Sequence, residues 1–96
     1  MDNIGFDWDE SKALLNKRKH GISFEEAVSV FYDEDALEFH DPDHSEEEDR
    51  FIMVGLSSKK RTLVVSHCVR AGSVIRIISA RKATKRETKK YWEEKL

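Results

Sequence analysis

The chain's 96 residues, 39% hydrophobic and 38% charged, suffice for one domain with one modest core and leave little room to enclose a large cofactor. No apolar run approaches the roughly 20 residues that cross a bilayer, and the acidic opening MDNIGFDWDE lacks the apolar stretch of a signal peptide. The formal net charge of −2 conceals a steep division: residues 1–50 carry 5 Lys and Arg against 16 Asp and Glu, residues 51–96 carry 12 against 3.

That division predicts one polyanion-facing side, since dense Arg and Lys attract phosphate backbones and an acidic half does not. Each half reads as built for a different partner. The single cysteine, Cys68, lies in an apolar strand pattern and reads as a buried, inert thiol; alone, it makes neither an intrachain disulfide nor a Cys-based zinc site. The expected compartment is the cytoplasm, with no membrane partner.

In chain order, Asp7 and Glu10 stand in capping-box spacing and predict a helix from there through about Lys19, ended by Gly21. Ser23 and Glu26 form a second capping box. Behind it Phe24, Ala27, Val28 and Phe31 recur at helical spacing, with Ile22 and Ala27 in staple positions. Residues 36–40 predict a short strand, Asp41-Pro42-Asp43 a turn, and residues 44–49 a mobile acidic run. Strands follow over 51–56, 62–69 and 74–80, joined by SSKKR and RAGS, links short enough for antiparallel hairpins. Thr84 and Glu87 form a third capping box that opens a C-terminal helix. The pattern is one α+β domain over residues 1–96, without repeats, low-complexity tracts or linker. A two-residue turn at Ala71-Gly72 would set His67 opposite Arg76, both on the face of Val65 and Ile78.

Three segments together resemble the BrnT family, the toxin half of a bacterial type II toxin–antitoxin pair. They are WDESKALLNKRKHGISFEEA (8–27), DPDHSEEEDRFIMVGLS (41–57) and RIISARKATKRETKKY (76–91), in the family's order and over nearly the whole chain. The resemblance implies a RelE-like fold, a small antiparallel sheet carrying two N-terminal helices and a C-terminal helix. It also implies ribonuclease activity on an RNA substrate, and neutralisation by a cognate BrnA-type antitoxin with a ribbon-helix-helix part, in a hetero-oligomeric complex.

Ribonucleases of this kind need neither metal nor cofactor, because the RNA's own 2′-OH attacks the adjacent phosphorus. The protein orients that hydroxyl, moves two protons and stabilises the charged phosphorane. Arg suits the last task by its planar fork, and His suits proton transfer near neutral pH. The catalytic candidates are therefore Arg81, Arg76, His20, Lys19 and His67. Arg81 leads, because it sits where strand gives way to loop. Arg76 and Arg81, five residues apart on a strand, are expected to face opposite sides, one contacting phosphate while the other supports it or pairs with an acidic residue. For His20 the plainer role is to cap the last carbonyls of its helix.

Lys12, Arg50, Lys82, Lys85 and Arg86 are candidates for RNA binding. Lys12 and Lys19 lie two turns apart on one helical face, and Lys89 and Lys90 extend the basic surface of the last helix. Against each stands the plainer reading of a solvated cation, and for Arg50 that of offsetting the acidic run. Tyr91 and Trp92 could stack on bases, but one must anchor the helix. Glu87 reads as the partner of Thr84 rather than as a base. HDPDH (40–44) has two His and two Asp, yet Pro42 argues for a turn and no metal is expected. A second reading keeps the basic face and drops the chemistry: a noncatalytic nucleic-acid-binding regulatory module.

Overall fold

Asp9, not Asp7, opens the first helix. In the computed structural model, which describes residues 4–44, 48–70 and 72–95, Asp7 is extended, in strand β1 (Gly5–Asp7). Helix α1 (Glu10–His20) begins two residues later, where the Asp9 side chain accepts from the Lys12 amide at 3.1 Å. The helix ends at Gly21, whose φ of 73° is the left-handed conformation that the sequence reserved for a glycine. Helix α2 (Phe24–Val30) starts from Ser23, whose hydroxyl accepts from the Glu26 amide at 3.0 Å. Only half of that box closes, because the Glu26 carboxylate turns inward to Ser57 and Arg61.

The strands β2 (Leu37–His40), β3 (Arg50–Leu56), β4 (Thr62–Arg70) and β5 (Val74–Lys82) follow, a 3-10 turn (Pro42–His44) lying between the first two. Helix α3 (Lys85–Lys95) closes the chain, and here the box is complete. Thr84 Oγ1 accepts from the Glu87 amide at 3.1 Å, and Glu87 Oε1 accepts from the Thr84 amide at 2.8 Å. No helix among the described residues is long and apolar enough to cross a membrane.

The sheet runs β1-β5-β4-β3-β2. Strands β2 to β5 pair antiparallel, but β1 lies parallel to β5, with Phe6 beside Ile75 and Asp7 beside Arg76, so the α+β sheet is mixed. One face packs against α1 and α2 around Ile22, Phe24, Ala27, Val30, Leu63, Val65, Ile77 and Ala80. The other face has a smaller core, Val54 and Val64 under Tyr91 of α3. Tyr91 is fully buried, and its hydroxyl donates to Asp33 at 2.6 Å. It is the anchor of the Tyr91–Trp92 pair, while Trp92 stays exposed beneath the Lys95 ammonium. Gly55 has no alternative: a Cβ there would stand 2.9 Å from both Ala36 Cβ and Val30 Cγ1.

Two expectations about register give way. The β4–β5 link is longer than a two-residue turn, so Arg70 pairs with Val74, Cys68 with Arg76 and His67 with Ile77. Ala71 itself lies outside the described residues, as do residues 45–47 of the acidic run. His67 and Arg76 therefore point to opposite faces. The second change is a β-bulge. Ser66 pairs with Ser79 but His67 with Ile77, which leaves Ile78 as the extra residue. Arg76, Ser79 and Arg81 stand opposite Cys68, Ser66 and Val64, alternate residues of one strand, so the bulge brings Arg76 and Arg81 onto one face.

The charge division is partly spent inside the molecule. Glu26–Arg61, Glu48–Arg70, Asp7–Arg76 and Asp35–Lys95 each join a carboxylate from the first 50 residues to a cation from the rest. The innermost is Glu26, 4% exposed, which accepts from Ser57 Oγ at 2.6 Å and from Arg61 Nε at 3.0 Å. Burial raises its pKa, but these hydrogen bonds outweigh burial and hold the carboxyl below its usual range. The two halves serve one another as well as any outside partner.

Candidate functional site

The face opposite α1 and α2 is covered by α3 only at the end holding Val54 and Val64. Beyond that end the side chains form rows across the sheet. Arg50, Cys68, Arg76 and Asp7 make one row; Phe39, Ile52, Ser66 and Ser79 make the next. Arg50 and Arg76 thus flank buried Cys68 from two strands apart, about 10 Å. A cleft of about 210 Å³ opens here, lined by Asp41, His44, Arg50, Ser66, Ile78 and Ser79.

A second groove, about 220 Å³, lies on the far side of the bulge and is lined by Lys12, Leu15, Asn16, Lys19, His20, Ile78 and Ser79. It exists because β1 pairs only with residues 74–76, leaving the rest of β5 with an open edge. Helix α1 takes that edge. Asn16 Nδ2 donates to the Ala80 carbonyl at 2.8 Å, and the Ala80 amide donates to Asn16 Oδ1 at 3.1 Å, as a neighbouring strand would. With Asn16 locked, the residues one turn either side, Lys12 and His20, and the neighbouring Leu15 and Lys19 line the groove. Ile78 and Ser79 are the shared wall of both depressions.

The candidates thus sort by location. Lys12, Lys19 and His20 come together in the groove, and Arg50 stands in the adjoining cleft. Arg76 shares the open face, its Nη1 held by Asp7 at 3.2 Å, with 30% of the side chain exposed. Arg81 shares it too, but roughly 13 Å further along the strand, too far to grip the same phosphate. Its fork is occupied by Glu87, at 2.8 and 2.9 Å. The Arg81 guanidinium, with the Thr84 amide, holds the Glu87 carboxyl down to about 2 against the pull of burial. Glu87 is thus cap partner and counterion at once.

His67 is elsewhere. It is 1% exposed, on the helix-covered face between Phe31 and Phe51, with Nε2 3.3 Å from Glu38. Lys82, Lys85 and Arg86 are exposed at the end of β5 and the start of α3, beyond the cleft.

Three groups in the cleft had been passed over. Ser66 and Ser79 sit in apolar strand patterns and carry no signal of their own. Among the described residues neither hydroxyl bonds to a protein group. The third is a dyad in the HDPDH turn: His44 Nδ1 lies 2.9 Å from Asp41 Oδ2. The sequence did carry its signal, an Asp and a His three apart across a proline, but the turn explained it too readily. No cluster of three or more His, Cys, Asp or Glu among the described residues is arranged to hold a metal ion.

The sequence profile described as the ribonuclease toxin BrnT of type II toxin–antitoxin systems matches residues 8–87. The chain belongs to the BrnT family, and is a ribonuclease toxin of a toxin–antitoxin pair. Every groove and cleft residue named above falls inside that match. The crystal structure of the Brucella abortus ribonuclease toxin BrnT superposes with a TM-score of 0.67 at 22% identity, covering 86% of this chain and 100% of that one. At that identity the likeness establishes the shared fold. No curated protein matches the chain.

Proposed function

We propose that this BrnT-family toxin cuts RNA internally without a metal ion, by attack of the substrate's own 2′-OH, on the open sheet face. The observation that carries the reading is the meeting of groove and cleft at Ile78–Ser79, with Lys12, Lys19 and His20 on one side and Arg50 on the other. A ribose-phosphate chain crossing that ridge meets cations on both flanks and two unengaged hydroxyls. Arg50 and Lys19 oppose the charge gathering on the phosphorane, and His20 moves a proton. Arg76 lies one row further along the same face as a backbone contact. Arg81 either exchanges Glu87 for a second phosphate or fixes the corner where β5 meets α3. Lys12, Lys82, Lys85 and Arg86 then add salt-dependent affinity without sequence choice.

The antitoxin in this reading is of the BrnA type, a ribbon-helix-helix protein. A segment of it covers the open face and shuts out RNA, in a hetero-oligomeric complex within the cytoplasm. The test is direct. Purified toxin incubated with RNA in excess EDTA yields fragments ending in 2′,3′-cyclic phosphate, and adding the antitoxin stops their formation. Intact RNA in EDTA, with cutting restored by a divalent ion, overturns the metal-free route. RNA that is bound with a steep salt dependence yet left whole under all conditions would favour a binding module.

A further inference from the structure

We infer that His44, held by Asp41, is a catalytic residue: the base that takes the 2′-OH proton during RNA cleavage. The inference rests on the metal-free reading above and gives a chemical role to a pair so far explained only as a turn. Three observations lead to it. His44 lines the cleft that holds Arg50, Ser66 and Ser79. Its Nδ1 is tied to Asp41 Oδ2 at 2.9 Å, and its side chain is 66% exposed while that of Asp41 is 17% exposed. The fold also fixes both ends of this turn: the Asp41 amide donates to the Arg50 carbonyl at 2.8 Å, and the His44 amide to the Asp41 carbonyl at 3.4 Å.

The geometry has a chemical consequence. A carboxylate accepting from Nδ1–H leaves Nε2 as the imidazole's lone pair, and a sunken carboxylate beneath an exposed ring fixes where that lone pair points. A turn needs a hydrogen bond but not a histidine set over an arginine-lined cleft. His40, four residues earlier, is the contrast. Its ring meets Asp49 at 3.2 Å and packs on Phe51, and it does not line the cleft.

With RNA across the ridge, neutral His44 Nε2 takes the 2′-OH proton as the O2′–P bond forms and the P–O5′ bond breaks. The electron pair leaves on O5′, which takes a proton from protonated His20 in the adjoining groove. The products are a strand ending in 2′,3′-cyclic phosphate and a strand beginning with 5′-OH. The charged groups around this path are Asp41 and Asp43 in the turn, Arg50 on β3, and Lys12 and Lys19 on α1. Asp41 is a positioning residue: it acts through the ring and touches no substrate.

The test uses the full chain, free of antitoxin, in EDTA, with a short defined RNA and its 2′-O-methyl analogue, which cannot be cut. For His44→Ala and His44→Gln the expected result is a loss of about 10²- to 10⁴-fold in kcat. Affinity for the analogue stays within about threefold, and added imidazole restores part of the cutting by His44→Ala. Asp41→Asn is expected to lower kcat about 10- to 100-fold with KM unchanged, by analogy with groups that orient a reacting imidazole. If both His44 variants cut within threefold of the parent, His44 is not the base. If they lose the analogue as well as cutting, His44 binds rather than reacts, and the inference fails again. A parent protein that leaves RNA whole in EDTA would instead bring down the metal-free reading, and this inference with it.

Discussion

On the face packed by α1 and α2, the sheet presents Leu63, Val65, Ile77 and Ala80, and the buried imidazole there, His67, is wedged between two phenyl rings. On the opposite face β3, β4 and β5 present Arg50, Ser66, Ser79 and Arg76, and the nearby imidazoles of His44 and His20 line open depressions. Residue types recur across the sheet while their circumstances reverse. A histidine set across a hairpin from an arginine, as His67 stood to Arg76 in the expected register, says little until the faces are known. What decides is which side the final helix leaves uncovered.

The comparison is sharpest at the two histidines of unequal exposure. His20→Ala is expected to cut cleavage by about 10²- to 10⁴-fold with the fold retained. His67→Gln is expected to lower stability while leaving cleavage per folded molecule within about threefold. Rates on defined RNA, normalised to the folded fraction by circular dichroism, check both. A deep loss of rate in His67→Gln would put the chemistry on the wrong face.

The next largest effect concerns Arg81. Arg81→Ala is expected to cost roughly 10- to 10²-fold in kcat/KM, about the loss of one charge-assisted contact to a phosphate beside the reacting one. Glu87→Gln distinguishes its two possible duties. If Arg81 serves phosphate, the freed guanidinium keeps cleavage near the parental rate; if it serves the β5–α3 corner, both variants fall together. Single-turnover rates at fixed RNA concentration read this directly.

On the covered side the corresponding lever is Glu26. Its removal leaves Arg61 without its partner and Ser57 without an acceptor. Glu26→Ala is therefore expected to cost about 3 kcal/mol in urea unfolding, at the lower end for a broken buried pair because Arg61 keeps part of its hydration. A cost under 1 kcal/mol would mean the pair is ornamental.

Acid gives a smaller, graded effect. Glu87 titrates near 2 in the folded protein against 4.5 when free, held down mainly by Arg81. A depressed carboxyl contributes stability that is full above the free value and drains away as pH falls toward the folded one. Unfolding should therefore become easier between about pH 5 and pH 2, with Glu26 and Asp33 adding to the slope, since both are also lowered. Glu87→Gln should flatten that part of the curve in thermal melts. An unchanged slope would place Glu87 outside the stabilising network.

Much of this architecture could be read from the sequence, and what could not shares a physical cause. Gly21, the Ser23 cap, the Thr84–Glu87 box and the three long strands announce themselves through local rules that act within a few residues. The parallel pairing of β1 does not. Three residues, Gly5–Asp7, carry no periodicity, and their partner lies some 70 positions away. The bulge at Ile78 is likewise set by pairing with β4 rather than by its own side chain, and without it Arg76 and Arg81 point apart. Asn16 gave no sequence signal, since capping a strand edge from a helix depends on where the two meet. The site was therefore half visible: its residue types stood out, but the ridge that joins groove to cleft did not.

The central claim is that RNA lies across the ridge at Ile78–Ser79 on the uncovered face. Backbone amide NMR of the toxin with a non-cleavable 2′-O-methyl RNA in EDTA tests it most directly. The account predicts the largest shifts at Arg50, Ser66, Ile78 and Ser79, with Lys19 and His20 following and Phe31, Val65 and His67 still. Shifts gathered around His67 and Phe31, or confined to α3 while the ridge stays silent, would contradict it.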